Sequence, residues 1–279
     1  METLQKDILT FDGLRLKTTI LNRNVGAWVV VTHGVGEHRG RHEYWLTDEF
    51  KNYNVILYDL RGHGESEGER GNVKDFDDYL KDIDSVTEFL VSEFGMKTFY
   101  LFGHSMGGLI TARWIQTRKN RALYPAKTIL SAPGAGTVGI LGMITSSIPA
   151  LVYKKLATLP SLPLGGMLDL TKLSHNPQVY QDYIHDPKNI LKVHSHLYFD
   201  LLNKAQETFH KPLNPRTPMM VIMGSEDGVV STDLVKKYFD KFEPRAKFVL
   251  VKDAYHELYM ETPEYFGQFA KNVKEFFSP

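Results

Sequence analysis

Six short runs along the chain are apolar nearly throughout: AWVVVT (27–32), VILYD (55–59), TFYLF (98–102), TILS (128–131), MMVIM (219–223) and KFVLV (247–251). Runs without polar alternation are what strands covered on both faces present. Between them the period changes. Phe76, Leu80, Ile83, Val86 and Leu90 recur at helical spacing with acids between them, and residues 231–243 and 263–277 repeat the pattern. Strands alternating with helices predict a mostly parallel sheet flanked by helices on both sides. The N-terminus reads differently. There, DILTF-DG-LRLKTTIL predicts a hairpin turning at Asp12-Gly13.

The rhythm breaks between 134 and 212, a stretch rich in Leu, Ile, Pro and Gly that offers no convincing strand. It resumes at MMVIM, so the expectation is one α/β core, residues 1–133 and 213–279, carrying a helical insertion over 134–212. Overlapping the start of this region, Thr128 to Tyr153 is uncharged and long enough to span a bilayer. Pro133, Pro149 and the glycines at 134, 136, 139 and 142 would leave backbone groups for lipid to satisfy. A buried strand, a turn and an apolar helix are expected there instead.

Composition narrows the chemistry. The 279 residues include no cysteine, which excludes disulfides, thiolate catalysis and cysteine-based zinc sites. Lysine plus arginine equals aspartate plus glutamate at 33 each, so no global charge draws nucleic acid or an anionic membrane. METLQKDILTFDGLRL has no apolar signal core and no N-x-S/T sequon occurs, so a cytoplasmic protein is expected.

Two segments match G-x-S-x-G, a pattern that supplies a nucleophile where a strand turns sharply into a helix: GHSMG at 103–107 and GESEG at 64–68. TFYLF runs directly into Gly103, and MGGLITARWIQTR after Ser105 reads as helix. GESEG lies several residues past its strand, and Glu65 and Glu67 flank its serine. Two carboxylates there would oppose the negative charge that acyl transfer develops. Ser105 is therefore the candidate nucleophile and Ser66 a loop residue.

On such a fold the acid follows the serine and the histidine follows the acid. Of eleven histidines only His256 lies beyond the last strand-like run. Asp227, in GSEDGVV just past MMVIM, is the candidate acid, with Glu226 and then Asp253 as rivals. Asp227 would orient His256, which would take the Ser105 proton. VVVTHGVGEH ends a strand at His33-Gly34, so the backbone N–H groups of Val35 and Met106 are the candidate oxyanion donors.

Other patterns lead nowhere. GAGTVG (134–139) matches a dinucleotide fingerprint, yet no acid occurs between it and Asp169 to hold a ribose. HSH (194–196) and HRGRH (38–42) lack nearby acids in a ligand-like cluster. No cofactor and no metal is expected. In YDLRGHGESEG, Asp59 and Arg61 read as pins of a tight loop.

HGVGEHRGR (33–41), YDLRGHGESEG (58–68), GHSMGG (103–108), GSEDGVV (224–230) and AYHELYMETPE (254–264) together resemble the monoacylglycerol lipase and lysophospholipase family of α/β-hydrolases. LSHNPQVYQDYIHDP (173–187) extends the likeness into the insertion, so it covers nearly the whole chain. The resemblance implies an α/β-hydrolase fold with a helical cap, an apolar tunnel for an acyl chain and a polar pocket for glycerol. It also implies that Glu37 and Arg41 lie near the polar leaving-group end, and that Val35, larger than its counterpart in many relatives, narrows the pocket. The expected partner is a small lipid ester, a monoacylglycerol or a lysophospholipid. The apolar stretch 138–170 could wall the tunnel and dock shallowly on a membrane, with Lys154 and Lys155 meeting headgroups. A lysophospholipase, a broad carboxylesterase and a non-catalytic receptor on the same scaffold are the alternatives. Relatives of this fold with an aspartate nucleophile are disfavoured by Ser105.

Overall fold

The computed structural model describes residues 2–118, 122–136, 148–166 and 168–278, with only the backbone given for 47–49 and 150. An eight-stranded sheet runs through its centre, in the order β1-β2-β4-β3-β5-β6-β9-β10. Its strands are β1 (Glu2–Leu9), β2 (Arg15–Asn22), β3 (Ala27–Thr32), β4 (Asn54–Tyr58), β5 (Thr98–His104), β6 (Lys127–Ser131), β9 (Met219–Gly224) and β10 (Lys247–Val251). β1 and β2 join antiparallel at one edge, and from β4 to β10 every neighbour is parallel. This is the α/β-hydrolase fold that the resemblance implies, and all six apolar runs are strands of it.

Burial follows the strand period. In β3, Trp28 and Val30 face one apolar layer while Val29 and Val31 face the other; Leu101 and Phe102 of β5 divide in the same way. Helices α2 (Asp78–Phe94), α3 (Met106–Thr117) and α7 (Thr232–Phe242) cover the first face with Leu80, Ile83, Leu109, Val235 and Phe239. Helices α1 (Gly40–Glu49) and α8 (Pro263–Phe277) cover the second with Trp45, Leu46, Phe269 and Phe277. Both faces of the central strands are dry, which is why their sequences do not alternate.

The N-terminal hairpin is present, but its connection is wider than the Asp12-Gly13 pair. Thr10 to Leu14 all lie outside the strands, and the Thr10 Oγ1 donates to Asp12 Oδ1 at 2.6 Å. Asp12 is thereby held toward Arg61, which it meets at 3.0 Å.

Between β6 and β9 the described residues add no strand to the main sheet. They form α4 (Ala150–Leu156), a 3₁₀ turn (Leu170–Lys172), α5 (Pro177–His185) and α6 (Ser195–Phe209). They also contain two three-residue strands, β7 (Pro163–Gly165) and β8 (Lys192–His194), paired antiparallel. These depart from the expectation of no strand there; three residues are too few to show a period, and Pro and Gly flank Leu164. Residues 137–147, from the stretch expected to wall a tunnel and from the GAGTVG pattern, lie outside the described residues. No helix among the described residues is long and apolar enough to cross a membrane.

The strand order reverses at β3, which has β4 on one side and β5 on the other. Ligands of open α/β sheets bind beyond the carboxyl ends of strands at such a point. The loops after β3 and β5 are the two that carry Gly34-Val35 and Ser105.

Candidate active site

Ser105 occupies the single position between the end of β5 and the start of α3, with φ 52° and ψ −117°. A non-glycine residue held there costs about 1–3 kcal/mol and persists only when its surroundings enforce it. They do so from two sides. Its N–H donates to the Ser131 carbonyl at 2.9 Å, and its own carbonyl accepts from Gly134 N at 3.0 Å. The turn also needs bare backbone behind it. A Cβ on Gly107 would lie 2.2 Å from the Thr32 carbonyl oxygen, so any side chain would lift α3 off β3.

Asp227 follows β9, and its carboxylate is spoken for on both oxygens. Oδ1 accepts from the N–H groups of Val229 and Val230, each at 2.9 Å, while Oδ2 lies 2.8 Å from His256 Nδ1. Both side chains are buried. The rivals are elsewhere: Glu226 is exposed, and Asp253 stands in solvent beside Lys252. The His256 loop is itself tied down, since Glu257 N donates to the Leu173 carbonyl at 2.8 Å. Burial alone would lower the His256 pKa, but Asp227, with Glu257 and Glu37 further off, outweighs it and raises the imidazole above its ordinary value. His104 packs against that ring, centroid to centroid 4.8 Å. Burial holds His104 itself well below its usual value, so it contributes a neutral ring.

The second G-x-S-x-G has another purpose. Ser66 Oγ donates to the Asp59 carbonyl at 2.7 Å and accepts from Lys17 N at 2.9 Å, pinning the loop to β2. Asp59 is ion-paired with Arg39 and accepts Glu65 N at 2.8 Å. Arg61 meets Asp82 through two nitrogens, at 2.8 and 2.6 Å. Asp59 and Arg61 are the pins that the sequence suggests.

After β3, the loop carrying Val35 lies against Ser105. A Cβ on Gly34 would come within 3.1 Å of Ser105 Cβ and 2.7 Å of Glu37 Oε1, so this approach requires glycine. Glu37 holds the loop from behind: Oε1 accepts the Gly34 N–H, and Oε2 accepts the Tyr259 hydroxyl at 2.8 Å. Burial opposes that charge, but His42 first, and Arg41 with it, keep the Glu37 carboxyl well below the usual range. Neither the Val35 nor the Met106 N–H has an acceptor among the described residues, and both residues line a cavity with Ser105.

Ser105 in fact borders two cavities. One, of about 120 Å³, is apolar and runs along Val35, Leu164, Leu168, Ile190, Leu197 and Val230. The other is much narrower, about 10 Å³, and is lined by Glu37, His104, Tyr183, His256 and Glu257 beneath Leu168, Leu170 and Leu173. Glu37 lines this cavity, with both carboxylate oxygens already hydrogen-bonded, one to Gly34 and one to Tyr259. Arg41 is not among the described lining residues. It stands one layer back, ion-paired with Glu257, 3.4 Å from Glu37 and 4.8 Å from the centre of the Tyr183 ring. Sequence reasoning missed Glu257 and Tyr183. The acid directly after His256 was a readable signal; Tyr183, in the insertion, had none.

The family described as serine aminopeptidase, S33, matches residues 23–263, and the chain belongs to it. Phospholipase YtpA of Bacillus subtilis (strain 168) is 28% identical over 241 residues, 84% of this chain and 89% of that protein. The monoglyceride lipase of Mus musculus is 29% identical over 245 residues, 85% and 78% of the two chains. The crystal structure of Paleococcus ferrophilus monoacylglycerol lipase superposes with a TM-score of 0.77 at 25% identity, covering 99% of this chain and 98% of the other.

Proposed function

We propose, from membership of this family, that the protein is a serine carboxylester hydrolase acting on monoacylglycerols. Ser105 Oγ attacks the ester carbonyl as His256 takes its proton, and the Val35 and Met106 N–H groups receive the oxyanion. His256 then returns that proton to the departing alcohol oxygen as the C–O bond breaks, leaving an acyl-Ser105 ester. Water, deprotonated by His256, attacks the ester, and the fatty acid leaves as the proton passes back to Ser105. Asp227 holds His256 with Nδ1 protonated, which leaves Nε2 with the lone pair that takes the serine proton.

The observation that carries this reading is the position of Ser105 at both an apolar cavity and a narrower one into which Glu37, His104, Tyr183, His256 and Glu257 bring polar groups. An acyl chain gains about 0.8 kcal/mol for each methylene buried, which suits the first. A hydroxyl-bearing alcohol suits the second. A glycerol moiety is larger than the single water that 10 Å³ admits, so the leucines of 168–173 must yield as it enters. Residues 134–212 then act as a cap over the core. The exposed Leu151, Val152, Leu159 and Leu162, with Lys154 and Lys155, give that cap a face suited to resting on a lipid surface.

A second reading, a lysophospholipase, is favoured by the likeness to the Bacillus phospholipase. Release of fatty acid from mono-, di- and triacylglycerols and lysophospholipids of matched acyl length separates the two. The highest kcat/KM is expected with monoacylglycerol; a higher value with lysophosphatidylcholine would favour the second reading, and no release from any ester would exclude both.

A further inference from the structure

Two buried carboxylates, Glu37 and Glu257, border the narrow cavity, and their uses differ. Glu37 spends Oε1 on Gly34 N and Oε2 on the Tyr259 hydroxyl. Glu257 spends Oε2 on Arg41, while its Oε1 has no donor among the described residues. Its side chain is 3% exposed, and the residue lines the narrow cavity. An acceptor without a protein donor at a cavity wall is open to whatever hydrogen-bond donor reaches the cavity.

Around this oxygen carboxylates outnumber the guanidinium that pairs with them. No lysine or arginine is among the cavity's described lining residues, and the one guanidinium nearby, Arg41, is shared between Glu37 and Glu257. Asp227 adds a third carboxylate directly behind His256. Burial, together with the Glu37 charge, outweighs Arg41 and His256 and pushes the Glu257 carboxyl up, the response expected of a group crowded by like charge.

We propose that Glu257 is a specificity-determining residue. Its open Oε1 accepts a hydrogen bond from a hydroxyl of the leaving alcohol, and its charge turns away esters whose alcohol carries a phosphate. The inference rests on the hydrolase reading above and deepens it. It assigns the leaving group as a neutral polyol, because a phosphate would have to lose its hydration beside three carboxylates, of which Glu37 and Glu257 share one guanidinium. Position supports this role. Glu257 follows His256 directly, so the hydroxyl it engages belongs to the same alcohol that His256 protonates.

The test compares kcat/KM for 1-decanoylglycerol, propyl decanoate and 1-decanoylglycerol-3-phosphate in the wild-type protein and in Glu257→Gln. Each is normalised to p-nitrophenyl decanoate, whose leaving group has no alcohol hydroxyl. In the wild type the glycerol ester is expected to exceed the propyl ester by roughly tenfold or more, since a hydroxyl-binding group is left unpaired by the latter. The phosphate ester is expected to fall below the glycerol ester by about two orders of magnitude, and Glu257→Gln to narrow that gap by roughly tenfold. Equal kcat/KM for the neutral and phosphorylated esters in the wild type would overturn the proposal without recourse to any variant. So would an unchanged gap in Glu257→Gln. A wild-type protein that leaves p-nitrophenyl decanoate intact would instead overturn the hydrolase reading beneath it.

Discussion

Asp227 Oδ2 lies 2.8 Å from His256 Nδ1, and the other Asp227 oxygen is held by two backbone N–H groups at 2.9 Å. The carboxylate cannot rotate away, so it sets both the tautomer and the orientation of the ring. Asp227→Asn keeps the shape but presents an amide that can donate to Nδ1, turning the imidazole to the wrong tautomer. Fatty-acid release is expected to fall by about 10³–10⁴ in kcat, with KM little changed. Steady-state kinetics on p-nitrophenyl esters measures this directly, and a loss below tenfold would remove Asp227 from the relay.

The pH profile follows from His256. On the proposed mechanism it accepts the serine proton only when its Nε2 is unprotonated, so kcat/KM should rise with pH through the His256 pKa. Asp227, Glu257 and Glu37 raise that value against the effect of burial, which places the midpoint above the ordinary 6.5. Glu257→Gln removes one of the raising charges. Its acid limb should therefore move to lower pH in a profile of kcat/KM, and a shift to higher pH would contradict the electrostatic picture.

How much of this was legible in the sequence depends on the range of the signal. Strand runs such as AWVVVT and MMVIM announced themselves because burial on both faces removes alternation, and α8 was readable from its helical period. Ser105 stood out because its strand, its turn and its helix are contiguous. The pairing of Asp227 with His256 spans 29 positions, yet chain order on this fold narrowed it to three acids; the distance then chose one. The narrow cavity was not readable. Tyr183 and Leu170 reach it from the insertion and Glu257 from the histidine loop, a meeting that only packing creates. β7 and β8 escaped because a three-residue ribbon carries no period.

Gly34 offers a test of the oxyanion loop apart from the triad. A methyl there would sit 2.7 Å from Glu37 Oε1 and 3.1 Å from Ser105 Cβ, and the loop must retreat to relieve it. Gly34→Ala is expected to lower kcat by about 10²–10³, the cost of a lost oxyanion donor. Its thermal midpoint should fall by no more than about 4 °C, since the strain is local. Wild-type kcat in a folded variant would mean that Val35 N–H does not serve the oxyanion.

The central claim is that Ser105, and not Ser66, carries the acyl group. The most direct measurement is peptide-resolved mass spectrometry after labelling with a fluorophosphonate, run beside decanoate release from 1-decanoylglycerol for the wild type, Ser105→Ala and Ser66→Ala. The account predicts one adduct, on the peptide containing Ser105. Ser105→Ala should lose both labelling and turnover, while Ser66→Ala retains both. An adduct on Ser66, or fatty-acid release by Ser105→Ala at the wild-type rate, would contradict it.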